Sequence, residues 1–422
     1  MNAAAAIVFI GILVFLAHLF SAIFSRTRIP DALELIVIGL ILGPVLGIVT
    51  PQTFGAVGPI FTSITLVVIL FESGIGLNIE SLRKAMRGTL MVTTLNFVVT
   101  MLAVGLIASE LTELDPLRAL MLGAIVGGTS SAVVIPLVRQ IKIGREAKSI
   151  LVLESAVSDV FTITVALAFL EAIKLGQIRF GLLLGHLLAT FVLAVIFGTL
   201  GAFAWSVLLN KVRTLHNSIF TTPAFVFIIY GIVELLGYSG AVAALAFGVT
   251  LGNIELFRLP ILKKYIPHDP ISLNDTEKIF FSEIVFLIKT FFFVYIGISI
   301  QLINIWPVSL GLLLTLIVFI LRIPVVRFSV NRTISISDAS LMAVMVPKGL
   351  AAAVLASIPL QQGIIGGELI QNVTYAVVLF SIVLTAVLIF LLGKTKLSKF
   401  YEKMFQGFSA STEEIPEKLT FE

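Results

Sequence analysis

The sequence predicts an all-α, polytopic membrane protein of about thirteen transmembrane helices. They are arranged as an inverted repeat of helices 1–6 and 8–13, with the fifth and twelfth helices broken. Three observations predict this. Of 422 residues 58% are hydrophobic, only 12% are charged and the mean hydropathy is +1.12, so a water-soluble exterior could not be built from what the chain contains. Apolar stretches of about 20 residues, enough to cross a bilayer, recur with short polar breaks. Two short motifs also recur at one common spacing.

The apolar stretches run at 5–24, 32–49, 57–77, 88–109, 117–138, 149–170, 180–209, 219–237, 239–252, 282–303, 307–326, 338–358 and 371–393. The first lacks a basic leader region and a small-residue cleavage site, and is read as a retained helix. The ninth is short. The loop at 253–281 carries Pro260, Pro267 and Pro270 and reads as a solvated connector, with Asn274-Asp275 as a turn or helix cap. Residues 394–422 form a short tail of mixed charge without a glycine-rich nucleotide-binding turn.

Lys and Arg are sorted by side. The loops after the odd-numbered stretches carry 2, 3, 4, 2, 4 and 2, and the tail carries 5, making 22. The opposite loops carry only Arg118, Lys174 and Arg179. The positive-inside rule places the N-terminus outside and the C-terminus in the cytoplasm. The net charge of +4 therefore reflects topology, and nucleic acid is not an expected partner. With no cysteine, disulfides, thiolate metal sites and cysteine nucleophiles are excluded. A soluble enzyme is excluded by composition, and no cofactor is expected.

GIGLNI at 74–79 returns as GISIQL at 297–302, and IPL at 135–137 returns at 358–360. Both pairings need an offset of 223 positions. That offset carries helices 1–6 onto 8–13, an odd shift of seven, so the halves have opposite membrane orientation. Inverted repeats with broken helices are a secondary-transporter architecture.

Ionised groups inside a membrane cost roughly 2.5–3.5 kcal/mol each and are functional candidates by default. The acidic ones are Glu72, Glu154 and Asp159, whereas Glu171, Glu234 and Glu283 lie nearer span ends. The basic ones are Lys289, Arg322 and Lys348. Ser155 and Asp159 are four apart, hence about 40° apart on one helix face, and offer oxygen to a small hard cation. Glu154 lies about 140° round from Asp159 and faces another neighbour, with Arg322 or Lys348 available to neutralise it. GGTSS at 127–131 and VPKGL at 346–350 read as mid-span breaks in the two helices paired by the repeat. Pro347 removes a backbone donor there, and unwound backbone at membrane depth must line a cavity or be buried. GYSG at 237–240 matches an intramembrane serine protease motif, but the one later histidine, His268, sits in the proline-rich loop.

The chain resembles the monovalent cation:proton antiporter superfamily, closest to its NhaP-like sodium/proton branch. The resemblance rests on FESGIGLNI (71–79), GGTSSAVVIPL (127–137), ESAVSD (154–159), LRIP (321–324) and VPKGL (346–350). It implies that Asp159 alternately binds cation and proton, with Ser155, Thr129 and Glu72 supplying further oxygens and Ser130 and Ser158 beside the break. It implies a structural ion pair of Glu154 with Arg322, with Lys348 standing where the family usually has arginine. Residues 1–393 would form one transmembrane antiporter domain. Within it, helices at 88–170 and 307–393 would form a moving core, those at 5–77 and 219–303 a dimer scaffold, and 180–209 the link.

The sequence departs from the family where Ser158 precedes Asp159 in place of asparagine, and where Ser130 follows Thr129 in place of aspartate. Those departures alter the oxygen set around the cation. The expected activity is electroneutral, one-for-one exchange of sodium (or lithium) for a proton, by a homodimer in a prokaryotic cell membrane. A potassium/proton antiporter of the same fold is the alternative. An ion channel, or a non-catalytic subunit of a proton-pumping complex, is the rival of another class.

Overall fold

The computed structural model describes residues 30–51, 57–77, 79–175, 180–212, 218–257, 273–300, 304–393 and 397–409, with isolated helical residues between 8 and 22. The first expected span, 5–24, therefore lies largely outside the described residues, as does the proline-rich loop at 258–272 and the tail beyond 409. Every other expected span falls on helix. In chain order these are α1 (Asp31–Leu40, continued by a π-turn Ile41–Val45 at Pro44), α2 (Val57–Gly76), α3 (Ile79–Leu111), α4 (Pro116–Ile125), α5 (Ser131–Gln140), α6 (Arg145–Leu175) and α7 (Phe180–Val212). There follow α8 (Thr221–Leu235), α9 (Gly240–Gly252), α10 (Asp275–Ser299), α11 (Ile305–Ser329), α12 (Ile336–Val344), α13 (Leu350–Gln361), α14 (Gly367–Leu392) and α15 (Leu397–Met404).

The structure carries the two breaks expected in the fifth and twelfth spans and corrects one detail, where the helices begin. Among the described residues only six helices (α3, α6, α7, α10, α11 and α14) are long and apolar enough to cross a bilayer on their own. The fifth span is split into α4 and α5, and the twelfth into α12 and α13, so each piece rises only about 15 Å. Helices also begin before their apolar stretches, α3 at Ile79 and α10 at Asp275, because helical hydrogen bonding continues into the polar region that hydropathy does not see.

The chain specifies its helix ends locally. Asp115 Oδ1 accepts from Arg118 N (3.1 Å) ahead of Pro116. Asn274 and Glu277 form a reciprocal capping box at the start of α10, which is the cap expected at Asn274-Asp275. GYSG also has a structural explanation. Gly237 and Tyr238 donate to Glu234 O and Val233 O, each at 3.0 Å, closing α8 in a Schellman turn. Ser239 Oγ then accepts from Val242 N (3.3 Å) to cap α9.

Two helix groups result. In one, α1 packs on α10, and α2, α7 and α8 pack on α9; in the other, α3 packs on α4 and α6, and α14 packs on α11 and α13. The link α7 sits on the first group. At the end of the second, Tyr401, Phe405 and Phe408 of the tail bury against Ile334 and Met342, and Arg327 Nη1 donates to Met404 O.

The inverted repeat is visible in glycine contacts. A Cβ on Gly39 would collide with Val294 O, and one on Gly297 with Ile36 O. A Cβ on Gly74 would collide with Leu245 O, and one on Gly248 with Phe71 O. In each pair the glycine meets the carbonyl three residues before its partner glycine. Gly74 and Gly297 are the residues already related by the 223 offset, so α1·α10 and α2·α9 are the same contact made twice. Small residues are what allow helix backbones to touch in a bilayer, where the hydrophobic effect does not drive them together.

Gly74→Val and Gly297→Val should therefore each lower the thermal unfolding temperature of detergent-purified protein, at an overpacking cost of about 1–3 kcal/mol. Gly231→Ala, where a Cβ meets nothing within 4 Å, should be neutral or slightly stabilising.

Candidate functional site

The two broken helices cross at the centre of the second group. Between α4 and α5 the chain unwinds over 126–130, and between α12 and α13 over 345–349. The unwound segments bond directly, Ser130 N donating to Pro347 O at 2.8 Å. Neighbours supply what that bond leaves over. Ser158 Oγ of α6 accepts from Thr129 N (2.9 Å), and Ser381 Oγ of α14 accepts from Lys348 N (2.9 Å).

The break exposes four half-helix ends. Helix carbonyl ends carry partial negative charge and favour cations. Lys348 Nζ donates to Gly128 O (2.8 Å) beyond α4, and Arg322 Nε donates to Met342 O (3.2 Å) at the end of α12. Each carbonyl end is thus met by one buried cation. Arg322 also makes a two-pronged pair with Glu154, with Nη1–Oε1 at 2.5 Å and Nη2–Oε2 at 2.6 Å, and both side chains are fully buried. Spacing left Arg322 and Lys348 both available to Glu154, and the resemblance implied Arg322; the structure pairs Glu154 with Arg322. Lys348 is spent instead on the break, where a flexible point charge reaches a single carbonyl without needing a fork.

The amide ends, α5 and α13, face a cleft of about 400 Å³, mouth included, lined by Glu72, Thr129, Ser130, Ser131, Asp159, Thr162 and Lys289 and by 349–352. Partial positive charge at helix N-termini favours a carboxylate. Asp159 is that carboxylate. It is 5% exposed, and its Oδ2 accepts from Ser131 Oγ at 3.3 Å. The Thr129 and Thr162 hydroxyls in the same cleft are buried and have no hydrogen-bond partner among the described residues. Unsatisfied buried hydroxyls beside an anion form a donor set that accepts a hard cation.

The residues singled out from sequence divide accordingly. Asp159, Thr129, Ser130 and Glu72 share the cleft. Ser158 does not line it; its hydroxyl bridges α6 to the break, with Thr129 O and Ser155 O at 3.3 and 3.1 Å. Ser155 is fully buried and donates to Val152 O (2.8 Å), away from the cleft lining. Glu72 lies on α2, outside the second group, and pairs with Lys289 of α10 (Nζ–Oε2 2.8 Å).

Sequence reasoning missed three participants. Ser131 was inside GGTSS but had no assigned role. Thr162, three residues beyond Asp159, shares its face by the same spacing rule that singled out Ser155. Lys289 stood out only as a charge within a span.

The chain matches the family described as "Sodium/hydrogen exchanger, transmembrane" over residues 11–394. Among curated relatives, the K(+)/H(+) antiporter NhaP of Alkalimonas amylolytica is 35% identical over 36% of this chain and 27% of its own length. The K(+)/H(+) antiporter NhaP2 of Shewanella sp. (strain ANA-3) is 23% identical over 86% of this chain and 62% of its own. This chain thus spans less than two thirds of either relative. The Na(+)/H(+) antiporter 1 of Methanocaldococcus jannaschii is 27% identical over 36% of this chain and 37% of its own. The solved structure of the sodium proton antiporter MjNhaP1 from that organism at pH 8 superposes with a TM-score of 0.70 at 23% identity, covering 92% of this chain and all of that one. The likeness is one of fold.

Glu154→Gln would leave the Arg322 charge buried without its partner, and should cost about 3–5 kcal/mol, read as a large fall in thermal unfolding temperature. Lys348→Met should cost less, about 1–3 kcal/mol, because it orphans a neutral carbonyl.

Proposed function

The chain belongs to the sodium/hydrogen exchanger family, and on that premise we propose that it is a secondary transporter exchanging a monovalent cation for a proton at Asp159. The observation that carries this reading is the buried Asp159 carboxylate beside the unpartnered Thr129 and Thr162 hydroxyls, at the crossing of two broken helices. Ionised, Asp159 holds the cation with Thr129 and Thr162 as neutral oxygens. Protonated, it is itself neutral. Either form can cross the low-dielectric barrier, whereas an empty ionised carboxylate cannot do so cheaply. Coupling then needs no further device, because the two substrates compete for one group.

One carboxylate at the crossing makes the exchange one-for-one and electroneutral. Motion of the group holding α3–α6 and α11–α14 against the group holding α1, α2 and α8–α10 would carry Asp159 from one side to the other. We assign the group holding α1, α2 and α8–α10 to a dimer scaffold in a cell membrane, with the N-terminus outside and the C-terminus cytoplasmic, in line with the sorting of Lys and Arg. Sodium is the first cation to test. Potassium is the second reading, favoured by relatives named as K(+)/H(+) antiporters.

The test is purified protein in liposomes with a trapped pH dye, given sodium, lithium or potassium at clamped voltage. Cation-dependent proton movement should appear in the wild type and vanish in Asp159→Asn while the protein still folds. The half-saturating cation concentration should rise as pH falls, and the rate should not respond to voltage. Silence with every cation in proton-tight vesicles would overturn the reading.

A further inference from the structure

Of the three basic residues that the sequence places within spans, Lys289 is the one with no bond to the helix crossing among the described residues. Lys348 is committed to Gly128 O, and Arg322 to Glu154 and Met342 O. The Lys289 side chain instead lines the cleft, 23% exposed, with Nζ 2.8 Å from Glu72 Oε2, and Glu72 is 38% exposed in the same cleft. An ion pair reached by water contributes little to stability, about 0–1 kcal/mol, so holding α2 to α10 is a weak reason to place a lysine at membrane depth. α2 and α10 also pack on each other directly, and glycine contacts hold α2 to α9 and α10 to α1.

The charges decide the matter. Among the residues lining the cleft, the charged ones are Asp159, Glu72 and Lys289. With both carboxylates ionised the cleft carries −1, and one monovalent cation brings it to zero. Without Lys289 it would carry −2, and a monovalent cation would be over-attracted and left with a residual charge. Resting on the exchange reading above, we propose that Lys289 is an affinity-setting residue: a tethered ammonium that occupies Glu72 and competes with the transported cation for the field of the two carboxylates. It keeps binding weak enough for release and matches the site to a single positive charge.

The direction of the effect separates this role from its rivals. Lys289→Met keeps most of the side-chain length and removes the charge. It should lower the half-saturating sodium or potassium concentration at fixed pH by about twentyfold, the size of one unit charge acting over roughly 9 Å at an effective dielectric near 20. Slower release should reduce the maximal rate. Lys289→Arg, which keeps the charge, should stay within about threefold of wild type. An unchanged half-saturation in Lys289→Met overturns the proposal, and so does a weakened one, which would make Lys289 a support for Glu72 as a ligand. If Lys289→Met folds but does not transport, titration calorimetry with sodium and potassium reads the affinity directly, and tighter binding is still required. If it does not fold, Lys289→Gln carries the same expectation. Wild-type silence would sink the exchange reading itself, whereas normal wild-type exchange with an unshifted Lys289→Met sinks only this one.

Discussion

Backbone that unwinds in the middle of a membrane has to find hydrogen-bond partners inside the protein, because lipid offers none. Two helices here unwind at the same depth, and most of the polar structure follows from satisfying them. Ser130 N and Pro347 O take care of each other. Ser158 and Ser381 are carried in on flanking helices to accept the amides of Thr129 and Lys348. The two carbonyl ends need positive charge and receive Lys348 and Arg322. A fully buried arginine in turn needs an anion, which explains Glu154. With both carbonyl ends neutralised, the amide ends of α5 and α13 are left facing the cleft, and there Asp159 is stabilised without a formal counter-charge in contact.

Two carboxylates on one helix thereby acquire opposite fates. Glu154 is sealed at 0% exposure against Arg322 and holds helices together. Asp159, five residues on and turned to another face, meets hydroxyls and open space. The first is locked in one state by its partner. The second is held by groups that serve an ionised carboxylate with a cation or a protonated one alike, which is the property an exchanger requires. Around them, glycine-to-carbonyl contact makes α1·α10 and α2·α9 stiff pairs. Glu72 and Lys289 sit on those stiff pairs and reach into the cleft from the side opposite Asp159's own group.

Much of this is legible in the chain. Apolar stretches located twelve helical spans, the 223 offset anticipated the equivalence of Gly74 and Gly297, and GGTSS with VPKGL marked both breaks. Asp159 and Glu154 were distinguishable by helical angle alone. Partner choice was not legible in spacing, and the resemblance pointed to Arg322 for Glu154 alone. Spacing made Ser155 as good a neighbour for Asp159 as Thr162, yet Ser155 turns its hydroxyl back to Val152 O while Thr162 Oγ1 is left open beside the cleft. A hydroxyl in a helix can always satisfy itself on a carbonyl one turn back, and the local sequence does not decide whether it does.

The division has a single physical origin. Hydropathy, helix caps and chain-breaking residues act over a few neighbouring positions, so composition and periodicity sufficed for the membrane class, the helices, their ends and the two interruptions. The pairing of charges acts across space between segments about 170 to 220 residues apart, Glu154 with Arg322 and Gly128 with Lys348. Three basic and three acidic side chains within spans admit several pairings of similar chemistry. Residue spacing does not select among them; the crossing geometry does, by setting which carbonyl ends and which carboxylates each cation can reach.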